Sequence, residues 1–324
     1  PDISELVAGR VDRGTRRIKQ KLAFHLARGG PLYRLMVPAK LLPKDIPSAS
    51  RAIIFLVLLT WVPLLILSLV QGVLLGDSVQ VPFLVAISPH VRYLLAVPLF
   101  ILAEPFVDKR LALASAHFVR SDLLKQEDLP RFKQAVRLAE RARDAILPEL
   151  ILFVLALSGM ALGQQLELPR SVSTWQLLTD QGGTHLTLAG WWNGAVSSTI
   201  FRFLIFRWLW RLFIWTVFLR RVSRLRFRLY PTHPDRAGGL GFLSVAQTSL
   251  GILVFAGGCV LSANFAQTIL FLGEAPASFI SIIILYVLIG MILLVGPLLV
   301  FSPKLFAVKF DAMHDYLLLS TEYN

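Results

Sequence analysis

Three arginines lie inside one apolar, aromatic-rich stretch of the sequence. Arg202, Arg207 and Arg211 fall between Trp191 and Leu219, a stretch long enough to cross a bilayer. An arginine near the centre of a spanning helix costs roughly 2.5–3.5 kcal/mol even on insertion scales. Their spacing is not the every-third-residue stripe of a voltage sensor. Unpaired guanidinium groups beside a hydrated path would attract an anion, so the stretch predicts an anion path.

The alternative is that acids of the same chain neutralise these arginines. Glu104 and Glu149 lie near the inner ends of their apolar stretches and match Arg211 or Arg220 in depth. By the same argument, the other two arginines of the stretch lie too far outward for either acid. We therefore expect an ion pair at Arg211 or Arg220, with a cation–π contact from Arg211 to a nearby tryptophan.

Polar side chains recur in a later apolar stretch, 243–272. Gln247, Asn264 and Gln267 fall broadly on one side of a helix there. In lipid such groups must face other helices or water. They either join helices or line the same anion path as the arginines.

Dense positive charge follows the arginine-containing stretch. We expect the helix to run on to Tyr230, roughly 15 Å beyond the bilayer. A glycine-rich turn at 233–240 comes next, and its N–H groups would bind phosphate; otherwise it is a connection in which Asp235 caps the next helix. The candidate residues for contact with anions or lipid headgroups are Arg220, Arg221, Arg224, Arg236, Gly238 and Gly239.

The composition indicates a membrane protein. Of 324 residues, 55% are hydrophobic and only 16% are charged, where a soluble domain has about a quarter charged. The net charge of +13 lies mostly in the segments between apolar stretches, which favours contact with anionic lipid over nucleic acid. Cys259 is the only cysteine and the histidines are scattered, so we expect neither a metal site nor a cofactor.

The predicted fold is all-α, a polytopic membrane bundle of six transmembrane helices with amphipathic cytoplasmic helices. The predicted spans are 52–75, 91–107, 146–163, 191–219, 243–272 and 279–301. The predicted domains are a basic amphipathic cytoplasmic segment at 1–50, the six-span domain at 51–302 with a cytoplasmic helical insert at 108–146, and an amphipathic cytoplasmic tail at 303–324. The polar segment 164–190 predicts a small external hairpin.

The distribution of basic residues predicts the orientation. All but five of the 33 lysines and arginines lie in 1–51, 108–146, 220–240 and 302–324, so both termini are expected in the cytoplasm, with the protein in the cell (inner) membrane of a bacterium. The sequence begins with Pro1 rather than Met and ends within an amphipathic segment, so we expect the natural chain to be longer.

Three classes of function fit these features. The favoured one is a channel or transporter for anions, working as a homo-oligomer because the polar faces are unevenly placed. The second is a non-enzymatic structural or signalling membrane subunit. The least favoured is a lipid- or phosphate-handling membrane enzyme using His233, Asp235 and Arg236, because no nucleophile or metal-ligand pattern accompanies them. The expected partners are membrane lipids with anionic headgroups and further copies of the chain.

Overall fold

The computed structural model describes residues 24–27, 29–31, 46–76, 78–166, 173–180 and 183–322. Most of the predicted N-terminal segment 1–50 lies outside the described residues. The described chain is predominantly helical. Its α-helices are α1 (Ile46–Thr60), α2 (Val62–Val70), α3 (Ile87–His90), α4 (Val97–Arg120), α5 (Leu129–Asp144), α6 (Ile146–Leu166), α7 (Leu188–Trp192), α8 (Ser198–Val222), α9 (Gly241–Thr248), α10 (Gly251–Leu272), α11 (Ile280–Val295) and α12 (Ser302–Glu322).

Tighter and wider helical turns join several of these helices. Two π-helical turns, Val91–Ala96 and Asn193–Ser197, lead directly into α4 and α8. Turns of 3-10 helix occupy Gln126–Asp128, Pro276–Phe279 and Gly296–Phe301. The last of these falls at the Gly-Pro pair, where proline cannot continue an α-helical hydrogen-bond ladder.

Four helical stretches are long and apolar enough to cross a membrane. They are Ala49–Val70, Ile87–Arg120, Gly241–Leu272 and Pro276–Leu319. These helices are compatible with a membrane protein. Helix α6 contributes a shorter apolar run, Ile146–Gly159, and α8 with its arginines is not among the four.

The predicted hairpin is confirmed. Strands β1 (Leu177–Asp180) and β2 (Gly183–Leu186) pair antiparallel, with Leu177 opposite Leu186. The preceding turn buries Trp175, whose ring meets Phe83 edge-on at 5.0 Å between centroids. We call this end of the bundle the hairpin end.

Helix α4 is longer than the predicted second span. The span was expected to stop at Val107, but the helix continues to Arg120 and includes Pro105 in its interior. Its buried face continues past 107, so packing holds the helix together until Asp122 takes a left-handed φ of 52°. The first third of the predicted insert 108–146 is therefore a continuation of α4.

Helix α8 is shorter than predicted, because the residues that follow it are extended and form hydrogen bonds with the loop at 121–128. The helix ends at Val222 instead of Tyr230. The N–H of Arg226 donates to Asp128 Oδ2 at 2.9 Å, and the N–H of Arg228 donates to the Leu123 carbonyl at 2.8 Å. An extended segment satisfies these backbone groups as well as another helical turn would. We call this end of the bundle, with its loops at 121–128 and 223–240, the basic end.

Helix α8 is the central element of the bundle. It packs against α4, α5 and α6. Near the basic end, its Trp215 and Phe218 are fully buried and meet Phe24 of the N-terminal segment, with ring centroids 6.4 and 5.2 Å away. This packing fixes the depth at which α8 presents its arginines.

Candidate functional site

A buried ion cluster forms where α8 meets α4 and α6. Glu104 Oε1 accepts hydrogen bonds from Arg207 Nη1 at 2.8 Å and from Arg211 Nη1 at 3.0 Å. Glu149 Oε1 lies 3.4 Å from Arg207 Nε. Glu104, Arg207 and Arg211 are each less than 5% exposed. Two acids thus face two bases, and the formal charge of the cluster is zero.

The expectation that no acid reaches Arg207 is wrong. Glu104 was placed too close to the membrane edge because α4 was expected to stop at Val107. Since α4 runs to Arg120, Glu104 lies well inside a long helix and at the depth of Arg207. The structure also brings Glu104 to Arg211, and it places Arg220 in the exposed last turn of α8.

Arg202 binds backbone carbonyls. Its Nε donates to the Ala156 carbonyl and its Nη1 to the Gly159 carbonyl, both at 3.0 Å, while Nη2 lies 3.4 Å from the Gly194 carbonyl. A Cβ on Gly159 would lie 2.8 Å from Arg202 Nε, so only glycine allows this approach. Arg202 was expected to need water and an anion. Instead, backbone carbonyls of α6 and of the turn before α8 accept hydrogen bonds from its guanidinium group. The cation–π contact predicted for Arg211 is confirmed, with its Cζ 5.1 Å from the Trp208 ring.

Residues 24–27 and 29–31 of the N-terminal segment close the cluster on its side toward the basic end. Arg211 Nη2 donates to the Ala27 carbonyl at 3.3 Å, and the Ala27 N–H donates to Asp108 at 2.8 Å. Asp108 also contacts His25 Nδ1 at 2.8 Å. Gly29 adopts φ 145°, where a Cβ would lie 2.4 Å from Arg143 Nε. The signal for this segment in the sequence is the pair of glycines before Pro31, which a purely amphipathic helix would not contain.

An apolar cavity of about 460 Å³ lies against the ion cluster. Its floor contains Glu104, Glu149 and Arg207. Its wall is almost wholly apolar, with buried Ile101 and Leu204 inside and exposed side chains at the mouth. The mouth residues are Phe55, Ile146, Leu150 and Phe153. We call this the apolar cavity.

The polar residues of the stretch 243–272 do not share a path with the arginines of α8. Gln247 accepts from Trp215 Nε1 at 2.9 Å and donates to the Leu293 carbonyl at 3.2 Å, so it joins helices. Asn264 and Gln267 lie at the hairpin end and bond to Ser88. They line a second cavity of about 300 Å³, which we call the polar cavity.

The glycine-rich turn at 233–240 is occupied by its own aspartate. Asp235 accepts from the N–H groups of Ala237, Gly239 and Gly241 at 2.9, 3.1 and 2.7 Å. Burial raises the pKa of Asp235, but these three hydrogen bonds and a contact with His233 outweigh it and lower the pKa well below its ordinary value. The N–H groups that would bind phosphate thus already donate to Asp235. One of them belongs to Gly241, the first residue of α9, so Asp235 joins the turn to the start of that helix.

The basic residues near this turn have separate surroundings. Arg220 and Arg221 end α8, and Arg224 follows it; all three are exposed. Arg236 is exposed with φ 56°, and its carbonyl accepts from Lys309 Nζ at 2.8 Å. Gly238 (φ 64°) and Gly239 (φ 96°) hold the turn in left-handed backbone.

The sequence signalled little of the polar cavity beyond Asn264 and Gln267. Arg92, Ser88, Gln176 and Asn193 also line it and were not predicted as site residues. The available signal was Arg92 at the start of an apolar stretch whose only other charged residue is Glu104. Within the described ranges, no three His, Cys, Asp or Glu side chains cluster closely enough to hold a metal ion.

Comparison with known proteins offers no assignment for either cavity. No family model matches the sequence, and no curated protein and no solved structure matches it either. Function must therefore be argued from the two cavities themselves.

Proposed function

We propose that the protein is a membrane transport protein whose apolar cavity takes up a lipid-like amphiphile from the bilayer. One observation carries this proposal: an apolar cavity of about 460 Å³ has exposed hydrophobic side chains at its mouth and a charge-paired floor of Glu104, Glu149 and Arg207. Its volume falls within the usual range of small-molecule sites.

The wall and the floor of the apolar cavity select for different parts of one ligand. The wall offers no hydrogen bonds, so a hydrated inorganic ion would lose its water there without compensation. The floor presents carboxylate oxygens and guanidinium N–H groups side by side. An alkyl chain with a polar or zwitterionic head satisfies both regions.

This proposal modifies the anion channel or transporter suggested by the sequence. Because Glu104 and Glu149 neutralise Arg207 and Arg211, the cluster has no net positive charge to concentrate anions. Anion-selective flux in proteoliposomes that changes in Arg207→Gln would restore the earlier proposal in place of this one.

We also propose that six helices span the bacterial inner membrane, with the basic end in the cytoplasm, and that several copies assemble. In addition to the four long apolar stretches, α6 has 21 residues and α8 has 25, so they measure about 31 and 37 Å, enough to cross a bilayer. Pairing of its arginines lowers the cost of placing them in lipid. Cysteines at 180 and 274 should react from outside and cysteines at 137 and 236 should not; the reverse pattern would contradict this topology.

Photolabelling with a phospholipid that carries a photoreactive acyl chain tests the amphiphile proposal. In proteoliposomes, label should reach Ile101 and Leu204, which are buried and meet lipid only through the cavity. Leu150→Trp at the mouth should sharply reduce that labelling. Leu285→Trp is the matched control, because Leu285 is equally exposed (57% against 55%) on α11 and lines no part of the apolar cavity.

Two outcomes of this experiment would contradict the proposal. The first is absence of label from Ile101 and Leu204 while lipid-facing residues are labelled. The second is equal labelling of these two residues in the Leu150→Trp variant and the wild type.

A further inference from the structure

The polar cavity at the hairpin end has a lining that differs in kind from that of the apolar cavity. It lies between the π-helical turn Val91–Ala96, the turn before β1, and helices α10 and α11. One part of its wall is apolar, with Trp175, Phe265 and Phe279. Another part carries neutral amide side chains. The described linings of the two cavities share no residue.

Two amides on α10 accept hydrogen bonds from Ser88. The Ser88 N–H donates to Gln267 Oε1 at 3.0 Å, and a backbone donor of this kind fixes which end of the amide faces it. Ser88 Oγ donates to Asn264 Oδ1 at 2.5 Å. The oxygen atoms of both amides thus have donors, while no atom of the described residues accepts from their NH2 groups. These NH2 groups are the ends left to bind a ligand.

A third amide reaches the cavity from another element. Tyr93 donates its hydroxyl hydrogen to Asn193 Oδ1 at 2.5 Å, and Asn193 Nδ2 donates to Gln176 Oε1 at 3.0 Å. This chain of bonds uses the oxygen of Gln176 and leaves its NH2 group as a donor. Gln176 belongs to the turn before β1, whereas Asn264 and Gln267 belong to α10, so donors reach the cavity from two separate elements.

The guanidinium group of Arg92 is already engaged at this cavity. Its Nη2 lies 3.4 Å from Ser88 Oγ, and its Cζ lies 5.5 Å from the centre of the Phe201 ring. An anion that lost its water here would need a positive charge of its own to pair with. The open hydrogen-bonding positions belong instead to neutral amides, so a ligand that fills them needs acceptor oxygens and no charge.

We propose that the polar cavity binds a neutral carbonyl compound of the quinone type. Such a molecule carries two carbonyl oxygens on opposite sides of a flat ring, which suits amide donors that come from two separate elements. The rings of Trp175, Phe265 and Phe279 offer apolar contact to its flat face. A neutral ligand also enters this mixed lining without the cost of desolvating a charge.

The size and the surroundings of the cavity agree with such a ligand. Its volume of about 300 Å³ lies at the lower end of the usual range for small-molecule sites. Ile282 on α11 is exposed and also lines the cavity, so a hydrophobic molecule dissolved in the bilayer can reach it. This site is independent of the amphiphile proposal.

Binding of radiolabelled duroquinone to the full chain in nanodiscs tests the site, and empty nanodiscs measure its partition into lipid. Every ring position of duroquinone carries a methyl group or an oxygen, so it offers no unsubstituted carbon to the free thiol of Cys259. The wild type should bind duroquinone saturably. Durene, which has the same ring and methyl groups without the oxygens, should not displace it, and neither should tetramethylbenzoate, which carries a negative charge.

Two variants exchange an amide donor for a carboxylate at the cavity. Gln267→Glu keeps the acceptor for the Ser88 N–H, removes the donor and places negative charge near a carbonyl oxygen of the ligand. Because loss of one neutral hydrogen bond alone weakens binding roughly threefold to tenfold, duroquinone affinity should fall by about tenfold or more. Asn264→Asp makes the same exchange beside Ser88 Oγ and serves if Gln267→Glu fails to fold. Gln134→Glu on α5 is the matched control and should keep the wild-type affinity, because Gln134 is exposed and lies outside the cavity.

Several outcomes would overturn the proposal. Duroquinone binding that does not exceed its partition into empty nanodiscs is one, and equal displacement by durene is another. Unchanged affinity in both Gln267→Glu and Asn264→Asp would show that the amide donors do not bind the ligand. Stronger displacement by tetramethylbenzoate than by unlabelled duroquinone would overturn the assignment to neutral ligands.

Discussion

The apolar and polar cavities differ in how their charged and polar groups are satisfied. At the apolar cavity, Glu104 and Glu149 balance Arg207 and Arg211, so the protein itself completes the charges. At the polar cavity, neutral amide side chains take the place of the acids, and their oxygen atoms accept hydrogen bonds from Ser88 and Asn193. An arginine inside an apolar, aromatic-rich helix therefore does not by itself indicate an anion site. What matters is whether acidic side chains of the same protein pair with the arginine and neutralise its charge.

The largest expected effect comes from removing the acid of the ion cluster. Glu104→Gln leaves Arg207 and Arg211 without their shared carboxylate, and loss of one partner from a buried ion pair typically costs roughly 3–5 kcal/mol. SDS-induced unfolding in mixed micelles measures the free energy of unfolding. Glu274→Gln at an exposed turn is the control and should change little.

A double variant sharpens this prediction. Glu104→Gln leaves two arginines and only Glu149 in the cluster, a net charge of +1. Adding Arg207→Gln makes the cluster neutral again, so the double variant should recover part of the lost free energy. A Glu104→Gln protein within roughly 0.5 kcal/mol of the wild type would show that the cluster does not need its acid.

A smaller effect is expected where Arg202 meets α6. In Gly159→Ala, the new Cβ would lie 2.8 Å from Arg202 Nε and push the guanidinium away from the carbonyls of Ala156 and Gly159. Because hydrogen bonds from a charged donor contribute about 1.5–3 kcal/mol, the free energy of unfolding should fall by about that amount. Gly251→Ala is the control, since nothing lies within 4 Å of a Cβ there. Equal stability of the two variants would refute the role of Gly159.

The smallest effect concerns the turn at the basic end, which lies outside both cavities. The pKa of Asp235 is lowered in the folded chain from its ordinary value of 3.8, because hydrogen bonds from three backbone N–H groups outweigh the cost of burial. Its contribution to stability is thus present above about pH 4 and is lost as the pH falls further. Thermal unfolding between pH 7 and pH 3 should show a shallower acid decline in Asp235→Asn than in the wild type. Identical slopes would contradict this assignment.

Local signals in the sequence predicted the helices and the hairpin, whose second strand begins at Gly183 with φ 121°. These features depend on periodicity and on glycine, so neighbouring residues suffice to predict them. The pairing of Glu104 with Arg207 was not predicted, because it depends on α4 continuing beyond Val107. Tertiary packing, and not local sequence, holds that part of the helix.

The same limit applies to the polar cavity and to residues 24–27 and 29–31. Asn264 and Gln267 were identified as polar residues in an apolar helix, but their bonds to Ser88 connect residues more than 170 positions apart. Ala27 and Gly30 contact charged side chains of α4, α5 and α8, and nothing in their own sequence specifies those partners. Hydrophobic patterning shows which polar residues need a partner inside the bundle, but it does not identify that partner.

Lipid labelling in nanodiscs tests the account of the apolar cavity most directly. Leu150→Trp at the mouth should remove label from Ile101, and Leu285→Trp on α11 should leave that label in place. Label at Ile101 that is unchanged in Leu150→Trp, or lost equally in both variants, would contradict entry of an amphiphile through the mouth of the apolar cavity.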